Sequence, residues 1–434
     1  MEKFFDLQRH GTTVQREIVA GLTTFLTMAY ILAVNPNMLG KIGHGMTPAA
    51  VFTATAIASA IATLFMAFLA KLPIALAPGM GLNTFFTYTV VFGMGYSWQL
   101  ALTAVFLEGI LFLFLSAFNM RESLVNAIPP NLKKAVAVGI GLFIAFVGLA
   151  NAGIIIRGVG SVDNIIKLGN LTNTNTFLAL IGLILIIILH SLNVPGAIFI
   201  GIIGTTIISI PMGITSISEG WKPYSLPHAP LLFKFDFSNI VSFKFFTVFF
   251  TFLFVDIFDT VGTLVGVTTQ AGLTDKDGNI PRAKQAFLSD AFGTVAGAAL
   301  GTSTVTSYVE SAAGVGAGGR TGLTALSAGI FFLLALLFGP IFVLIPEAAT
   351  APALIFVGFL MMAPVAQINF KDPTEGIPAF LAIIMMPFTY SIAEGIVYGV
   401  LSYVLLKAAT RRFNEINVVT WLLFFVFILR FFLK

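Results

Sequence analysis

Six acids stand inside runs of apolar residues: Glu108, Asp256, Asp259, Asp290, Glu310 and Glu394. A carboxylate at the centre of an apolar span costs at least ~2.5 kcal/mol to insert, so each is a functional candidate by default. Asp256 and Asp259 lie three apart in Phe252–Val267, which puts them on one face of a helix, and Thr260, Gly262 and Thr263 continue a narrow polar stripe. No Lys or Arg occurs in that segment to neutralise the pair. A carboxyl so placed can carry a proton, or accept hydrogen bonds from a donor-rich ligand. Glu310 falls at the start of a small-residue run, Ala312 to Gly319, where free helix-end amides favour an anion; capping that helix and holding a ligand are compatible roles. Asn83 is the complementary group, since its amide both donates and accepts; with Thr84 it is expected to cap a half-helix running to about Gly93. Glu108, Asp290 and Glu394 are single, and are read as structural.

Other chemistry is excluded by what the chain lacks or where it puts its residues. There is no Cys, hence no thiolate zinc site and no thiol nucleophile; no metal site is expected. The four His (10, 44, 190 and 228) fall at span ends or in loops, so a central His relay is not expected. Gly314–Thr321 has the spacing of a phosphate loop, but Arg320 replaces the Lys and no soluble strand precedes it. The aspartate pair sits on one segment, whereas an intramembrane aspartic protease needs facing aspartates that share a proton. The chain is not expected to be an enzyme.

These residues must be held by membrane-spanning elements. Apolar residues make up 57% of the 434 and charged residues 10%, against about 25% charged in soluble domains. Spans are expected near 18–34, 49–70, 77–93, 97–118, 131–149, 175–190 and 195–210, then 245–269, 284–300, 301–318, 321–345, 349–364, 376–390 and 391–408. Several fall short of the ~20 residues of a full crossing. No signal peptide is expected at the N-terminus. A fifteenth apolar run, Val418–Phe432, carries Arg430 and either spans or lies at the interface. With the N-terminus inside, the cytoplasmic bases, from Lys3 through Arg121 and Lys276 to Arg412, number fifteen of the 23 Lys and Arg. The external ones are Lys41, Arg157, Lys167, Lys222, Lys234 and Lys244, with Arg430 and Lys434 left over. That asymmetry obeys the positive-inside rule and places the protein in the cell membrane. A net charge of +4 is too weak to argue for nucleic acid.

The polar stretch Pro211–Lys244 is read as an external connector between a first repeat (1–210) and a second (245–408), with 409–434 as a C-terminal tail. Seven spans on each side make the second half enter the membrane in the opposite sense, the arrangement of an inverted-repeat transporter. The third span begins Ala77-Pro78-Gly79-Met80-Gly81-Leu82-Asn83-Thr84, poor helix material. The tenth begins Gly301-Thr302-Ser303-Thr304-Val305-Thr306-Ser307-Tyr308, which suits a strand. Each is third in its half, and such interrupted pairs point to a transporter's binding site. Asn83 and Glu310 are separated by 227 residues, and the same offset pairs Asp256 and Asp259 with Ala29 and Leu32 in the first span. Tyr30, Phe85, Thr263 and Tyr308 are possible secondary contacts, the rings covering a flat ligand's face.

Four ordered motifs carry a resemblance over nearly the whole chain: Gly21 to Tyr30, Ala77 to Asn83, Val255 to Thr263, and Glu310-Ser311 followed by Gly318-Gly319-Arg320-Thr321-Gly322. The chain resembles the AzgA-like purine permeases of the nucleobase–cation symporter 2 (xanthine/uracil permease) family. The resemblance implies an all-α polytopic fold of the UraA-like seven-plus-seven inverted-repeat type, with about fourteen transmembrane segments. It implies a core domain of spans 1–4 and 8–11, a gate domain of spans 5–7 and 12–14, and a homodimer. It implies uptake of adenine, guanine or hypoxanthine with a proton as coupling ion and no other cofactor. The substrate-holding roles carry over to Asp256 or Asp259, Glu310 and Asn83, and proton coupling to Asp256, Asp259 or Glu310. Relatives often have a His one turn after the eighth-span acid; here Thr263 stands four after Asp259, so coupling would rest on the carboxylates. The alternatives are a same-fold carrier of sulfate-type anions or of uracil or xanthine, and a passive channel.

Overall fold

The computed structural model describes residues 2–118, 129–158, 166–238, 240–274 and 280–432. Arg121, Lys276 and Lys434 of the charge pattern lie outside the described residues, as does the side chain of Arg430. The first span is a helix broken near Tyr30, α1 (Val14–Met28) and α2 (Ile31–Leu39). There follow α3 (Pro48–Phe65), β1 (Leu76–Pro78), α4 (Met80–Thr84, continuing as a wider π-turn over Phe85–Gly93) and α5 (Trp98–Ala117). Beyond these come α6 (Pro130–Asn151), the hairpin strands β2 (Ile155–Arg157) and β3 (Ile166–Leu168), α7 (Thr174–Ser191) and α8 (Ala197–Ser209).

After the connector, the chain forms α9 (Phe243–Gln270), α10 (Ala283–Leu300), β4 (Val305–Ser307), α11 (Ser311–Gly316), α12 (Gly322–Ala335) and α13 (Gly339–Leu344). The last elements are α14 (Glu347–Leu360), α15 (Pro373–Thr389), α16 (Ile392–Ala409) and α17 (Val418–Phe432). Each of the fourteen expected spans coincides with a helix or a strand–helix unit. Among the described residues, nine helices are long and apolar enough to cross a membrane unaided. The rest are short, interrupted or less apolar.

The third and tenth spans are the interrupted ones. β1 and β4 pair antiparallel, Leu76 opposite Ser307 and Pro78 opposite Val305, and the ladder is extended by Gly79 N to Thr304 O and Tyr308 N to Ala75 O, both 3.0 Å. All six strand residues are buried. A strand pair away from water survives only if its outer backbone groups also find partners. Neighbouring side chains supply them. Thr63 Oγ1 of α3 accepts from Leu76 N (2.9 Å) and donates to Leu76 O (3.1 Å). Thr294 Oγ1 of α10 donates to Val305 O (2.9 Å), Ser307 N donates to Asp290 Oδ1 (3.0 Å), and Ala75 N donates to Ser311 Oγ (3.0 Å).

One expectation is corrected here. Asn83 and Thr84 do not open the half-helix: α4 starts from Gly79, and Asn83 N already donates to Gly79 O at 2.8 Å. Proline and glycine end the strand rather than delay the helix, because Pro78 has no N–H to offer and Gly79 lets β4 come close. A Cβ on Gly79 would sit 2.6 Å from Thr306 Cγ2.

The helices pack in two groups. In one, α1 lies on α11 and α12, α3 on α10 and α12, and α5 on α9 and α10. In the other, α6 lies on α14 and α15, α7 on α8 and α14, and α15 on α16. From Ser225 to Asp236 the connector straps across the first group: Ser225 N bonds Leu337 O, Leu231 N bonds Leu300 O, Phe233 N bonds Ala299 O, and Asp236 N bonds Thr103 Oγ1. In the second group, Lys407 of α16 is fully buried between Glu375 (2.7 Å) and Glu415. Asp372 caps α15; its bonds from Thr374, with Arg412 beside it, hold its half-buried carboxyl down at about 2. The fifteenth run, α17, is about 22 Å long at 1.5 Å per residue, too short to cross alone. It packs on α16, and Phe427 meets Phe250 of α9.

Thr63 tests the role of the hydroxyl partners. Thr63→Val keeps the shape and removes both bonds to Leu76, and is expected to destabilise the purified protein by about 1–3 kcal/mol. Thermal unfolding in detergent reads this as a lowered Tm, and an unchanged Tm would show that the strand edge does not need the hydroxyl.

Candidate functional site

Where the strands end and the half-helices begin, a cavity of about 90 Å³ opens between the two helix groups. The first group contributes Tyr30, Gly79, Met80 and Gly81, then Val255, Asp259 and Thr263 of α9, and Ser307 to Glu310 at the end of β4. The second contributes Ile140 of α6 with Val357 and Met361 at the end of α14. Two carboxylates thus meet in a hollow lined otherwise by apolar and aromatic residues, glycine backbone, Thr263 and Ser307, and no Lys or Arg is among its lining residues. A larger cleft of about 310 Å³ lies under the connector, between Phe52, Trp221, Leu226, His228 and Leu336, but no carboxylate lines it.

Glu310 sits at the residue before α11, yet its side chain does not cap that helix. It turns into the cavity and accepts from Tyr30 Oη at 2.6 Å. Tyr30 stands at the break between α1 and α2, and Thr27 Oγ1 reaches the Glu310 carbonyl at 3.4 Å. Tyr308 Oη donates to Pro78 O at 2.5 Å, which pins the tyrosine across the strand pair. The two tyrosine rings lie 6.5 Å apart, tilted 45° to one another. With both hydroxyls engaged, what they offer a ligand is ring surface.

The two aspartates of α9 part company. Asp259 lines the cavity with Thr263 one turn on. Asp256 is fully buried behind it, where Thr260 Oγ1 reaches it at 3.5 Å while also bonding Asp290 Oδ2 and Thr306 Oγ1, each at 2.8 Å. Asn83 is likewise fully buried off the cavity; it donates to Pro78 O at 3.3 Å and accepts from Ser303 Oγ. Phe85 is buried edge-on against Phe252, 4.9 Å between centroids, and does not line the cavity. Of the residues singled out in the sequence, the cavity therefore gathers Tyr30, Asp259, Thr263, Tyr308 and Glu310.

The other acids have structural surroundings. Asp290 holds the Ser307 amide and hydroxyl, both at 3.0 Å; Glu108 is reached by Thr304 Oγ1 at 3.4 Å; Glu394 lies in the first turn of α16, after the cap Ser391. Ile140, Val357 and Met361 are cavity residues that nothing in the sequence marked, since apolar residues in apolar spans carry no local signal. Gly79 to Gly81 could have been found, because a Pro-Gly-Met-Gly run puts bare backbone next to whatever binds there.

At the end of the bundle holding Lys41, contacts join the two helix groups over the cavity. Lys41 pairs with Glu347 at the start of α14, Asn151 Nδ2 donates to Tyr88 Oη (2.7 Å), and Thr89 Oγ1 donates to Tyr390 O (3.0 Å); within the first group, Asn37 Nδ2 donates to Ile345 O at the end of α13 (3.0 Å).

A bundle of apolar helices with paired broken elements at an internal polar cavity defines a multi-pass membrane transporter. The fold agrees: the transmembrane domain of a cyanobacterial bicarbonate transporter, BicA, superposes with a TM-score of 0.65 at 16% identity over 89% of this chain and 97% of that one. The anion transporter Slc26a9 of mouse, in its inward-facing state, gives 0.62 at 13% identity over 91% and 68%. The family described as the Permease family, whose profile is that of xanthine and uracil permeases, matches residues 15–398, and the chain belongs to it. Relatives include the guanine/hypoxanthine permease PbuO of Bacillus subtilis, 44% identical over 97% of this chain and 99% of that one. The adenine permease AdeQ of Escherichia coli is 41% identical over 96% and 93%, and a protein of Methanocaldococcus jannaschii is 48% identical over 99% and 98%. The chain is thus a permease, not an enzyme.

Tyr30→Phe removes the hydroxyl that bonds the Glu310 side chain. Because a hydrogen bond to a charged group contributes about 1.5–3 kcal/mol, the transport KM is expected to rise about tenfold or more with the amount of folded protein unchanged. A wild-type KM would show that Tyr30 does not orient Glu310.

Proposed function

We propose that this protein imports purine nucleobases (adenine, guanine or hypoxanthine) by proton symport through alternating access. The observation that carries the reading is the meeting of Asp259 and Glu310 in one small aromatic-walled cavity. A purine is flat, neutral and edged with N–H donors and ring-nitrogen acceptors. The carboxylates suit its donors, the backbone at the end of β4 suits its remaining edge, and Tyr30 and Tyr308 suit its faces. The names of the relatives support the same substrate class. Carboxylates without a basic partner among the lining residues favour such a ligand over a sulfate-type anion, which would be repelled.

Asp259 and Glu310 are the groups we assign to purine holding and proton coupling. Asn83 and Asp256 support them from behind, Asn83 through the strand junction and Asp256 through Thr260. Glu310→Gln is expected to lower uptake at least tenfold and to flatten its dependence on pH, because the amide can neither release a proton nor accept with full charge. Wild-type rate with unchanged pH dependence in Glu310→Gln would sink the assignment. The broader test is proteoliposome uptake of labelled hypoxanthine, adenine, guanine, uracil and sulfate, with and without an imposed pH gradient. Purine accumulation driven by the gradient is expected; flux that no gradient drives uphill would indicate a channel, and gradient-driven sulfate uptake an anion carrier.

In this reading the first helix group is the core (spans 1–4 and 8–11) and the second the gate (spans 5–7 and 12–14), and the cavity between them travels with the core. The N-terminus is cytoplasmic and the Lys41 end external, in line with the Lys and Arg distribution. The protein resides in the cell membrane as a homodimer. Lys41–Glu347, Tyr88–Asn151 and Thr89–Tyr390 then act as the closed external gate. The chain has no Cys, so a double variant Lys41→Cys with Glu347→Cys has a clean background. Oxidation should stop uptake and reduction restore it; full activity in the oxidised, cross-linked protein would mean that this end does not open.

A further inference from the structure

The run Gly314 to Thr321 has phosphate-loop spacing without a nucleotide site. The structure shows what its amides hold. Arg320 N, Thr321 N and Thr324 N, at the start of α12, converge on the carboxylate of Glu17 at 2.9, 3.2 and 3.1 Å. The hydroxyls of Thr321 and Thr324 reach the same carboxylate at 2.8 and 2.6 Å. Glu17 belongs to α1 and is fully buried. A helix N-terminus with convergent amides is an anion nest, and here the anion is built into the chain.

The nest is tied to the transport cavity. Arg320, whose amide is one of the five donors, sends Nη1 back to Val315 O and Gly319 O, both at 2.7 Å. That grips the last turn of α11, whose first turn follows Glu310. Between the two ends, α1 lies so close that a Cβ on Gly314 would stand 2.0 Å from Thr24 Oγ1. Glu17, Thr24, Thr27 and Tyr30 thus run along one face of the first span against the half-helix.

We infer that Glu17 is a positioning residue for transport: by filling the nest it fixes Arg320, and through Arg320 the half-helix that presents the Glu310 carboxylate. This rests on the reading of the cavity as the transport site. Removing the anion leaves three amides and two hydroxyls pointing at an empty place. Arg320 then loses its anchor, and Glu310 shifts relative to Tyr30 and Asp259.

The test uses the full-length protein with Glu17→Ala and Glu17→Gln, and two readouts. The first is hypoxanthine uptake in proteoliposomes, resolved into KM and Vmax per folded molecule. The second is amide hydrogen exchange over 311–316, which needs no substrate. Glu17→Ala is expected to raise KM about tenfold or more and to speed exchange over 311–316, and added formate, a free carboxylate small enough for the vacated nest, is expected to reverse both. Glu17→Gln, keeping one acceptor oxygen, should fall between. Arg320→Ala should match Glu17→Ala but gain nothing from formate. Wild-type KM and exchange in Glu17→Ala would overturn the inference. If that variant does not fold, wild-type KM and exchange in Glu17→Gln would overturn it equally. If the wild type carries no purine, the functional reading fails, and the exchange data alone decide whether Glu17 holds the half-helix.

Discussion

Six strand residues buried away from water dictate much of this molecule. A two-stranded ribbon has two outer edges, and in an apolar interior every N–H and C=O on them must be met by something else. The chain meets them with Thr63, Thr294, Asp290 and Ser311, drawn from three elements that pack around the ribbon, α3, α10 and α11. Hydroxyls and a carboxylate close to backbone require helices with little bulk. This accounts for the Ala, Thr and Ser content of α3 and for the Gly and Ala content of α10. The same ribbon sets where the half-helices start, and so where Glu310 and the bare Gly79–Gly81 backbone stand.

The buried acids divide according to that ribbon. Asp290 and Asp256 lie on its far side and share Thr260, so their hydrogen-bonding capacity goes into holding β4 in place. Asp259 and Glu310 lie on the near side and face a cavity. One turn of α9 therefore carries two aspartates with opposite duties, and the polar stripe of that helix is wide enough to serve both sides. Scarcity of charge in the chain as a whole makes this division clear.

Much of this was legible beforehand. Pro-Gly and Thr-Ser runs at matching places betrayed the two broken spans, and Glu310, Asp259, Tyr30, Thr263 and Tyr308 stood out as polar or aromatic residues beside them. What could not be read was pairing across distance. Nothing in Leu76-Ala77-Pro78 identifies it as a strand, because three residues without alternation have no period; only Val305 to Ser307 opposite gives it one. Spacing alone put Asp256 and Asp259 on one face, but at 3.6 residues per turn the two side chains still diverge by about 60° around the helix, enough for one to point into a cavity and the other behind it. Asn83 looked like a cap because Pro and Gly precede it, yet the helix begins as soon as the strand ends. Glu17 stands just before the first expected span, outside the apolar runs where acids draw attention, and its partners are some 300 residues away.

The ribbon also bears on how the protein is made. β1 belongs to the first half and β4 to the second, so neither half contains the partner for its own strand. At about 5–20 residues per second, the 227 residues between corresponding points of the halves take roughly 10–45 s to synthesise. For that interval the first half sits in the membrane with an unfinished seam at its centre. The cavity therefore comes into existence only after both halves have been inserted, and a chain interrupted before β4 has no site at all.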